Sequence, residues 1–507
     1  MSENKRMKIG LNVFEPDVSG NKPGFALTIG DGETADYAVC HFDPQKKTLA
    51  DDLADAGNVA GIFDSLGMDF VANFEFQNFG YDCTSPDGVD WALHEGGLHR
   101  LNVPGEFIGK LGCKGNLAGV EYDEFEHCII NRNISIELAS KGKIKAPVFE
   151  LCEKGDVIEQ EKLLENQLKE YAGNVKNAGA PALCGEHVFP VLFHLFARCG
   201  IIPNFKSQKE SCSNLQFAIA GGAALQYGTP LWNCVDSWYR LTNPGHSPEE
   251  LYSNLEFAYY AGVNRVYAES SAPMEKDGKL TPYGLKFREF CKAYRGRDRD
   301  YDISDYTPEI CVIRQDDSFW GQGDPFIWKN MLFGNKRIKP DKNSKEYIRA
   351  IHTITHGKSF RNGLSWGRVG LSFLTKHRSF LPMNSLAVFD DRAGYDALKS
   401  AKLCFLCGRV ISYETAEAVR KIVSENGAVA VTTAKHLPAE LKSKAKGSCA
   451  EIPYGKGSYI CVKSFCSGKL KKRILPFLGE KDRIRLTFGN REINLEISPD
   501  GETLKKI

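Results

Sequence analysis

The first part of the chain alternates short apolar runs with helical patterns. Eight apolar or β-branched runs occur between residues 8 and 271, and most of them precede a stretch in which apolar residues recur every three or four positions. Such alternation is typical of parallel strands joined by crossover helices. We therefore predict a (β/α)8 TIM barrel with strands at 8–15, 69–78, 98–104, 116–124, 181–189, 201–210, 230–239 and 264–271.

The pattern changes twice in the second half of the chain. Short apolar runs first flank a clear helical pattern at 413–427, which indicates a doubly wound α/β domain with buried strands at 308–317, 385–391, 402–410 and 427–433. Later runs alternate with a period of two, which predicts antiparallel strands at 458–465, 483–490 and 491–498. The chain is thus predicted to be an α/β protein with a TIM-barrel catalytic domain at 1–305, a doubly wound domain at 306–445 and a small C-terminal antiparallel β domain at 446–507.

Charge and composition narrow the classes of partner. The 507 residues include 65 Lys and Arg against 64 Asp and Glu, so no global charge favours nucleic acid or an anionic membrane. No apolar run approaches the roughly 20 residues that span a bilayer, and no stretch of signal-peptide length precedes the first strand. We expect no membrane partner and a cytoplasmic location, or a secreted or periplasmic one if a leader has been removed.

The 16 cysteines are expected to be reduced, because most lie inside apolar runs, where a thiol behaves as a small hydrophobic group. Cys404 and Cys407 have the spacing of a redox or zinc pair, but no second pair completes a zinc site, so we predict core packing. No phosphate-binding glycine loop follows the predicted strands of the second domain, and no HExxH zinc motif occurs. We therefore expect neither a metal nor a cofactor.

Acidic residues stand at the ends of several predicted barrel strands. The C-terminal ends of barrel strands build the active face, and hydrolysis of a glycosidic bond requires two carboxyl groups. Glu124, Glu210 and Glu269 each follow a strand and are the candidate catalytic residues. Each has a structural alternative, namely a helix cap or ion pair for Glu124, a solvated charge for Glu210 and a partnered buried charge for Glu269.

Further polar and aromatic residues at strand ends are candidates for substrate binding. Amides and acids suit a hydroxyl-rich ligand, and aromatic rings beside a carboxylate suit the apolar face of a sugar. A solvated loop, an ordinary hydrogen-bonded histidine and barrel packing of the tryptophans are the alternatives. The candidates are Asn73, Glu75, Asn78, Glu186, His187, Trp232, Asp236 and Trp238.

The order of the predicted parts resembles a known enzyme family. A barrel with GVEYDE at the fourth strand, then a domain similar to a class I glutamine amidotransferase without its nucleophile, then a small β domain is similar to the β-galactosidases of glycoside hydrolase family 42. The resemblance implies clan A chemistry, with Glu124 as the acid/base, although that clan has Asn where Asp123 stands. The clan's nucleophile follows strand seven, where this chain has Asp236, while Glu210 and Glu269 lie one strand earlier and one later.

Three functions are compatible with these observations. The leading hypothesis is a glycosidase that acts on a small or oligomeric carbohydrate by a two-carboxylate mechanism. Retention of configuration and a homo-oligomer are implied by the family resemblance. The alternatives are a non-catalytic carbohydrate-binding barrel and a carbohydrate lyase or isomerase. The sugar, the anomer, the linkage and the choice of nucleophile among Glu269, Glu210 and Asp236 stay open.

Overall fold

The chain forms a closed barrel followed by two further sheets. A computed structural model describes residues 5–14, 35–42, 49–74, 105–123, 157–187, 192–208, 212–237, 245–269, 274–315, 346–359 and 378–507. Eight parallel strands close the barrel in sequence order, each paired with its neighbours and the first with the eighth. They are β1 (Lys8–Phe14), β2 (Tyr37–His41), β3 (Asp69–Asn73), β4 (Leu117–Tyr122), β5 (Leu183–His187), β6 (Ile202–Ser207), β7 (Trp232–Val235) and β8 (Arg265–Ala268).

Helices connect these strands and cover the outside of the barrel. They are α1 (Leu49–Ser65), α2 (Gly105–Leu111), α3 (Val157–Asn177), α4 (Phe193–Arg198), α5 (Ser213–Tyr227), α6 (Pro248–Tyr260) and α7 (Pro282–Tyr294). Sequence signals fix some of their ends. Ser247 begins α6 with a reciprocal capping box to Glu250, and Gly228 ends α5 in the left-handed conformation at φ 66°. A two-stranded sheet of β9 (Glu275–Lys276) and β10 (Lys279–Leu280) precedes α7.

The predicted barrel is confirmed, with one change of strand. Strand β2 was not predicted, because a short and fully buried run such as YAVCH lacks the alternation that marks a strand. The predicted strand at 98–104 lies outside the described residues, and the barrel closes with eight strands without it. The seven other strands keep their predicted positions along the chain.

The two faces of the barrel strands have different surroundings. Outward side chains such as Leu11, Phe70 and Val266 pack in the large apolar core beneath the helices. Inward side chains alternate with them, and a small apolar cluster that includes Tyr37, Val39 and Val71 fills the lower part of the interior. Polar residues occupy the inward positions above this cluster, toward the C-terminal ends of the strands.

The second sheet has the predicted doubly wound arrangement. Its order is β13, β11, β14, β15, β17, β16, and all pairings are parallel except that of β16 with β17. These strands are β11 (Ile310–Arg314), β13 (Leu386–Asp390), β14 (Leu403–Leu406), β15 (Val429–Thr432), β16 (Cys449–Tyr454) and β17 (Gly457–Val462), with helices α8 (Glu346–Ile354), α9 (Tyr395–Leu398) and α10 (Tyr413–Asn426). Cys404 and Cys407 are free thiols buried in the core, as predicted.

A third sheet at the C-terminal end is mainly antiparallel. It contains β12 (Met383–Asn384), β18 (Arg483–Phe488), β19 (Arg491–Ile497) and β20 (Leu504–Lys506), and helix α11 (Gly468–Ile474) precedes β18 in the chain. The run at 458–465 was expected in this sheet, but Gly457–Val462 pairs in parallel with β15 of the second sheet. Five of its six residues are consecutively buried, as expected for a strand covered on both faces. The domain boundaries at 305 and 445 stay a prediction.

Helix α5 connects the barrel to the second sheet through very close packing. Every residue from Ser213 to Ala224 is buried, and a Cβ on Gly222 would lie 1.9 Å from the carbonyl oxygen of Val388 in β13. The small residues of this helix were predicted to permit close approach to a sheet. The structure shows that α5 contacts both β6 of the barrel and β13 of the second sheet.

A buried ion-pair network joins the same two regions. Arg198, at the end of α4, contacts Asp390 at 3.0 Å, Glu161 at 2.5 Å and Glu165 at 3.0 Å. Burial opposes ionisation of Asp390, but the charges of His194 and Arg198 outweigh it and hold the pKa of this carboxyl below its usual value. The network therefore keeps Arg198 and Asp390 ionised in the buried contact between helix α4 and the second sheet. No helix in the part of the chain that the structure describes could cross a membrane.

Replacement of Arg198 by Met should destabilise the fold strongly, because the fully buried Asp390 loses the guanidinium that contacts it at 3.0 Å. We expect a loss of about 3 to 5 kcal/mol in the free energy of unfolding. The matched control is Lys399→Met, which breaks the exposed pair with Asp396 and should cost less than about 1 kcal/mol. Urea denaturation of both variants measures the difference, and equal losses would show that the buried network contributes no more than a surface pair.

Candidate functional site

The C-terminal half of the barrel interior is lined by polar side chains from all eight strands. Residues two positions apart on a strand point to the same face, so the inward positions continue from the apolar cluster into a polar one. Almost all of these side chains are buried. The members are Asn12, His41, Asn73, Glu121, Asp123, Glu186, Asn204, Lys206, Cys234, Asp236, Tyr267 and Glu269, which we call the polar cluster.

Lys206 is the central residue of the polar cluster. It lies on β6, and its side chain has no exposed surface. Its Nζ atom is 2.6 Å from Glu186, 3.2 Å from Glu269, 3.5 Å from Asp236 and 3.6 Å from Asp123. A buried charge is tolerated only when opposite charges or hydrogen bonds compensate it, and here four carboxylates surround one ammonium group.

Beneath Lys206, a tyrosine links two carboxyl groups. The Tyr267 hydroxyl lies 2.5 Å from Oε1 of Glu121 and also contacts Glu186. Asn204 donates to the same Glu121 oxygen at 2.9 Å. Burial first, and then the charge of Asp123, raise the pKa of Glu121 from 4.5 to about 7. A protonated Glu121 can donate a hydrogen bond to the Tyr267 oxygen, while the Tyr267 hydroxyl donates its own proton to Glu186. The proton on Glu121 therefore gives each of the two contacts a donor and an acceptor.

A histidine and two amides form the opposite wall. Nε2 of His41 is 2.6 Å from Nδ2 of Asn12 and 3.1 Å from Nδ2 of Asn73. The same Nε2 atom lies 3.8 Å from Oδ2 of Asp123. Asn73 also donates to Asp123 at 3.2 Å, which orients that carboxylate toward Lys206. These contacts hold Asp123 beside Lys206.

Two carboxylates of the polar cluster reach the solvent. Glu269 and Asp236 directly follow β8 and β7, and their side chains are 17% and 12% exposed. The Cys234 thiol donates to Oε2 of Glu269 at 3.2 Å. Burial and the adjacent Glu269 charge raise the pKa of Cys234, so it stays a thiol and a hydrogen-bond donor. These two acids are the described carboxylates that a ligand at the barrel mouth can contact.

Glu186, Cys234 and Glu269 bring possible metal-ligand atoms within 4.8 Å of one another. Metal binding by this trio would require the cysteine as a thiolate. However, the Lys206 ammonium lies 2.6 Å from Glu186 and 3.2 Å from Glu269, so it already supplies the positive charge. The residues therefore fit a lysine-compensated carboxylate site better than a metal site.

The structure brings four of the predicted site residues together. Asn73, Glu186, Asp236 and Glu269 all belong to the polar cluster. Trp232 does not, because it begins β7 and lies at the N-terminal end of the barrel, where the Arg265 guanidinium stacks 5.0 Å from the centre of its ring. The remaining predictions lie outside the described residues, namely Glu75, Asn78, Glu124, Glu210, Trp238 and the side chain of His187.

The prediction missed several members of the cluster. Lys206 was read as part of a polar strand end, and Tyr267 as part of an apolar strand. The signal that identifies them is the alternation itself. Asn204 and Lys206 on β6 are two residues apart, and so are Tyr267 on β8 and Glu269 directly after it. Strand β2 was not predicted, so His41 could not be placed.

Comparison with known proteins gives a likeness of fold only. No protein-family model matches the chain, and no curated protein sequence is similar to it. Solved structures with a partly similar fold include GH5_18 from Streptomyces cattleya in complex with GlcNAc, which is 12% identical, with 62% of this chain and 85% of that chain covered and a TM-score of 0.39. The apo exo-carrageenase GH42 from Bacteroides ovatus is 10% identical, with 93% and 67% covered and a TM-score of 0.40.

The solved structures with a partly similar fold also include an enzyme that is not a glycoside hydrolase. The 3-dehydroquinate dehydratase from Aquifex aeolicus VF5 is 13% identical, with 57% of this chain and 100% of that chain covered and a TM-score of 0.30. Glycoside hydrolases of families 5 and 42 are thus among the structures that this chain resembles, together with a dehydratase. Similarity of this degree carries no argument about the reaction, which has to be argued from the site.

Replacement of Glu121 by Gln should change how stability depends on pH. Because the pKa of Glu121 rises from 4.5 to about 7 on folding, its favourable contribution is complete below pH 4.5 and is lost as the pH rises to about 7. Gln, like the protonated Glu121, can donate a hydrogen bond to the Tyr267 oxygen, but it cannot ionise. Relative to wild type, the variant should gain up to about 3 kcal/mol in unfolding free energy across this pH window.

Denaturation at several pH values between 4 and 8 measures this gain. Glu289→Gln, on the exposed side of α7, is the matched control and should show no such trend. A difference between Glu121→Gln and wild type that is constant across the window would contradict the raised pKa.

Proposed function

We propose that the protein is a glycoside hydrolase that binds a carbohydrate at the C-terminal mouth of the barrel and cleaves it with two carboxyl groups. The observation that carries this proposal is the pair of partly exposed carboxylates, Asp236 and Glu269, held by the buried ammonium of Lys206. Glycosidic hydrolysis needs one carboxylate that stays ionised and one carboxyl group that donates a proton. The polar cluster supplies ionised carboxylates at the place where barrel enzymes bind their substrates.

Glu269 is the proposed ionised carboxylate. Lys206 contacts both of its oxygens, at 3.3 Å and 3.2 Å, and Cys234 donates to one of them. An adjacent cation and a hydrogen-bond donor both favour the charged form of a carboxyl group. In a retaining reaction this group attacks the anomeric carbon, and in an inverting reaction it activates water. Asp236 and Glu210 are the alternatives for the same role.

Glu124 is the proposed proton donor. It is the next residue in sequence after Asp123, which contacts Lys206 at 3.6 Å, and it matches the acid/base position that the family resemblance implies. A general acid needs a raised pKa, and the concentration of acids at the end of β4 favours this. The retaining stereochemistry, a β-galactosidase-like specificity and a homo-oligomeric state follow from the same resemblance and stay proposals.

The lyase or isomerase alternative would most naturally use Lys206 as an amine nucleophile. Attack on a carbonyl requires a neutral amine, which enzymes obtain by desolvation or by nearby cations. Lys206 is desolvated, but four carboxylates lie within 3.6 Å of its nitrogen and favour the ammonium form. This arrangement favours hydrolysis over Schiff-base chemistry. A binding protein without turnover is the remaining alternative, and kinetics separate it from an enzyme.

Replacement of the two proposed catalytic acids should give different kinetic patterns. Glu269→Gln should abolish turnover of both activated aryl glycosides and substrates with poor leaving groups, because the ionised carboxylate acts in every case. Glu124→Gln should lower turnover of poor leaving groups by roughly 10²- to 10⁴-fold and affect activated aryl glycosides much less. Initial rates on a panel of aryl glycosides and oligosaccharides measure both effects.

The surface variant Glu289→Gln is the control for purification and folding, and it should keep the wild-type rate. Small and equal losses for Glu124→Gln and Glu269→Gln would contradict the assignment, because binding contacts do not distinguish between leaving groups. Sugar binding without hydrolysis of any glycoside in the panel would instead identify a carbohydrate-binding barrel.

A further inference from the structure

A cavity lies at the N-terminal end of the barrel, opposite the polar cluster. It has a volume of about 560 Å³ and is lined by residues 259–260, 297–301, 491–493 and 506, which we call the basal cavity. Its position follows from Arg299, whose backbone carbonyl accepts from the N–H of Lys5 just before β1 and whose side chain donates to the carbonyl of Val263 just before β8. Cavities of this size hold small molecules.

The acidic residues of the basal cavity are paired with arginines. Each of its three carboxylates has a guanidinium group within ion-pair distance. Such pairs balance the charge of the acids at short range. The contacts are Asp298 with Arg6 at 2.6 Å, Asp300 with Arg491 at 2.7 Å, and Glu492 with Arg485 at 3.4 Å, where Arg485 also contacts Glu309.

Three other cations line the same cavity, and none of them contacts a carboxylate among the described residues. They are Arg297, Arg299 and Lys506. The Arg297 guanidinium lies 5.7 Å from the centre of the Tyr259 ring, and the Lys506 ammonium lies 5.2 Å from that of Tyr260. Arg297 and Lys506 are both exposed. A ring contact uses one face of a cation and leaves its N–H groups available to an acceptor in the cavity.

Arg299 forms the inner wall of the basal cavity, because it lines the cavity but is only 4% exposed. Its Nη1 and Nη2 atoms donate to the carbonyl oxygens of Tyr259 and Val263, at 2.7 Å and 2.8 Å. Within the described residues its Nε atom is buried without a hydrogen-bond partner. Burial is the largest influence on the pKa of Arg299 and lowers it, so the surrounding tyrosines and acids do not fully compensate this cation. A buried cation in this state favours a nearby anion.

We propose that the basal cavity binds a small phosphorylated molecule, with its phosphate group among Arg297, Arg299 and Lys506. Guanidinium forks and ammonium groups are the side chains that bind phosphate, and three cations match the nearly double negative charge of a phosphate monoester better than the single charge of a carboxylate. The volume of the cavity leaves room beside the phosphate for the organic part of the ligand. This site is independent of the proposed glycosidase site, since none of its residues belongs to the polar cluster.

Calorimetric titration of the full chain at low salt tests the proposal without requiring turnover. The probes are inorganic phosphate, glucose 6-phosphate and AMP, with succinate as a dicarboxylate of similar charge. The two phosphorylated compounds should bind at least as tightly as inorganic phosphate and about tenfold more tightly than succinate. The affinities should fall at high salt, because salt screens exposed charges.

Two variants connect binding to the basal cavity. Arg297→Gln and Lys506→Gln each remove an exposed cation and should each weaken the binding of the phosphorylated compounds by about tenfold. Arg297→Lys keeps the charge without the fork and should lose less affinity. The matched control is Lys446→Gln, which removes an exposed cation outside the cavity and should leave the affinity unchanged. Melting temperatures without ligand show whether each variant is folded.

Three results would overturn the proposal. The first is the absence of saturable binding of any phosphate compound, and the second is an affinity that neither Arg297→Gln nor Lys506→Gln changes, since a purely structural role would alter only the melting temperature. The third is binding of succinate as tight as that of the phosphorylated compounds. Binding of inorganic phosphate with rejection of both phosphorylated compounds would identify a site for the free ion and would equally contradict the assignment to a phosphorylated molecule.

Discussion

The ammonium group of Lys206 among four carboxylates is the interaction on which the rest of the site depends. Neither the lysine nor the acids could be buried alone at acceptable cost, because each charge loses its hydration in the barrel interior. The ammonium offsets the repulsion between the neighbouring carboxylates. Two of these carboxylates, Asp236 and Glu269, are partly exposed at the mouth of the barrel. Glu121, which contacts Asn204 and Tyr267 beneath the lysine, instead has a pKa raised to about 7.

The scaffold around Lys206 keeps this arrangement in place. Helix α5 connects β6, which carries Lys206, with β7, which leads to Asp236. The same helix packs so closely on β13 that Gly222 has no room for a side chain. The Arg198 network fixes the end of α4 to the second sheet beside it. The second sheet therefore packs against the helix that joins the two strands that position the central charges.

Sequence reasoning predicted the barrel and the doubly wound sheet, because strand runs followed by helical patterns mark parallel topology. It placed Asp236 and Glu269 correctly at strand ends. It could not tell at which end of the barrel a residue lies. Trp232 lies on the same face of the strand as Asp236, but it is four residues earlier and therefore lies at the opposite end of the barrel. It also missed Lys206, because a lysine near a strand end looks like a solvated charge until the facing strands show which acids surround it.

The pH dependence of stability of Lys206→Met tests the central role of this lysine most directly. Without the ammonium, the buried carboxylates repel one another and can be neutralised only by taking up protons. We predict that the variant is several kcal/mol less stable than wild type at pH 7, and that this difference in unfolding free energy shrinks as the pH falls toward 4.5 and the carboxylates become protonated. A difference in unfolding free energy that stays constant between pH 7 and pH 4.5 would contradict it.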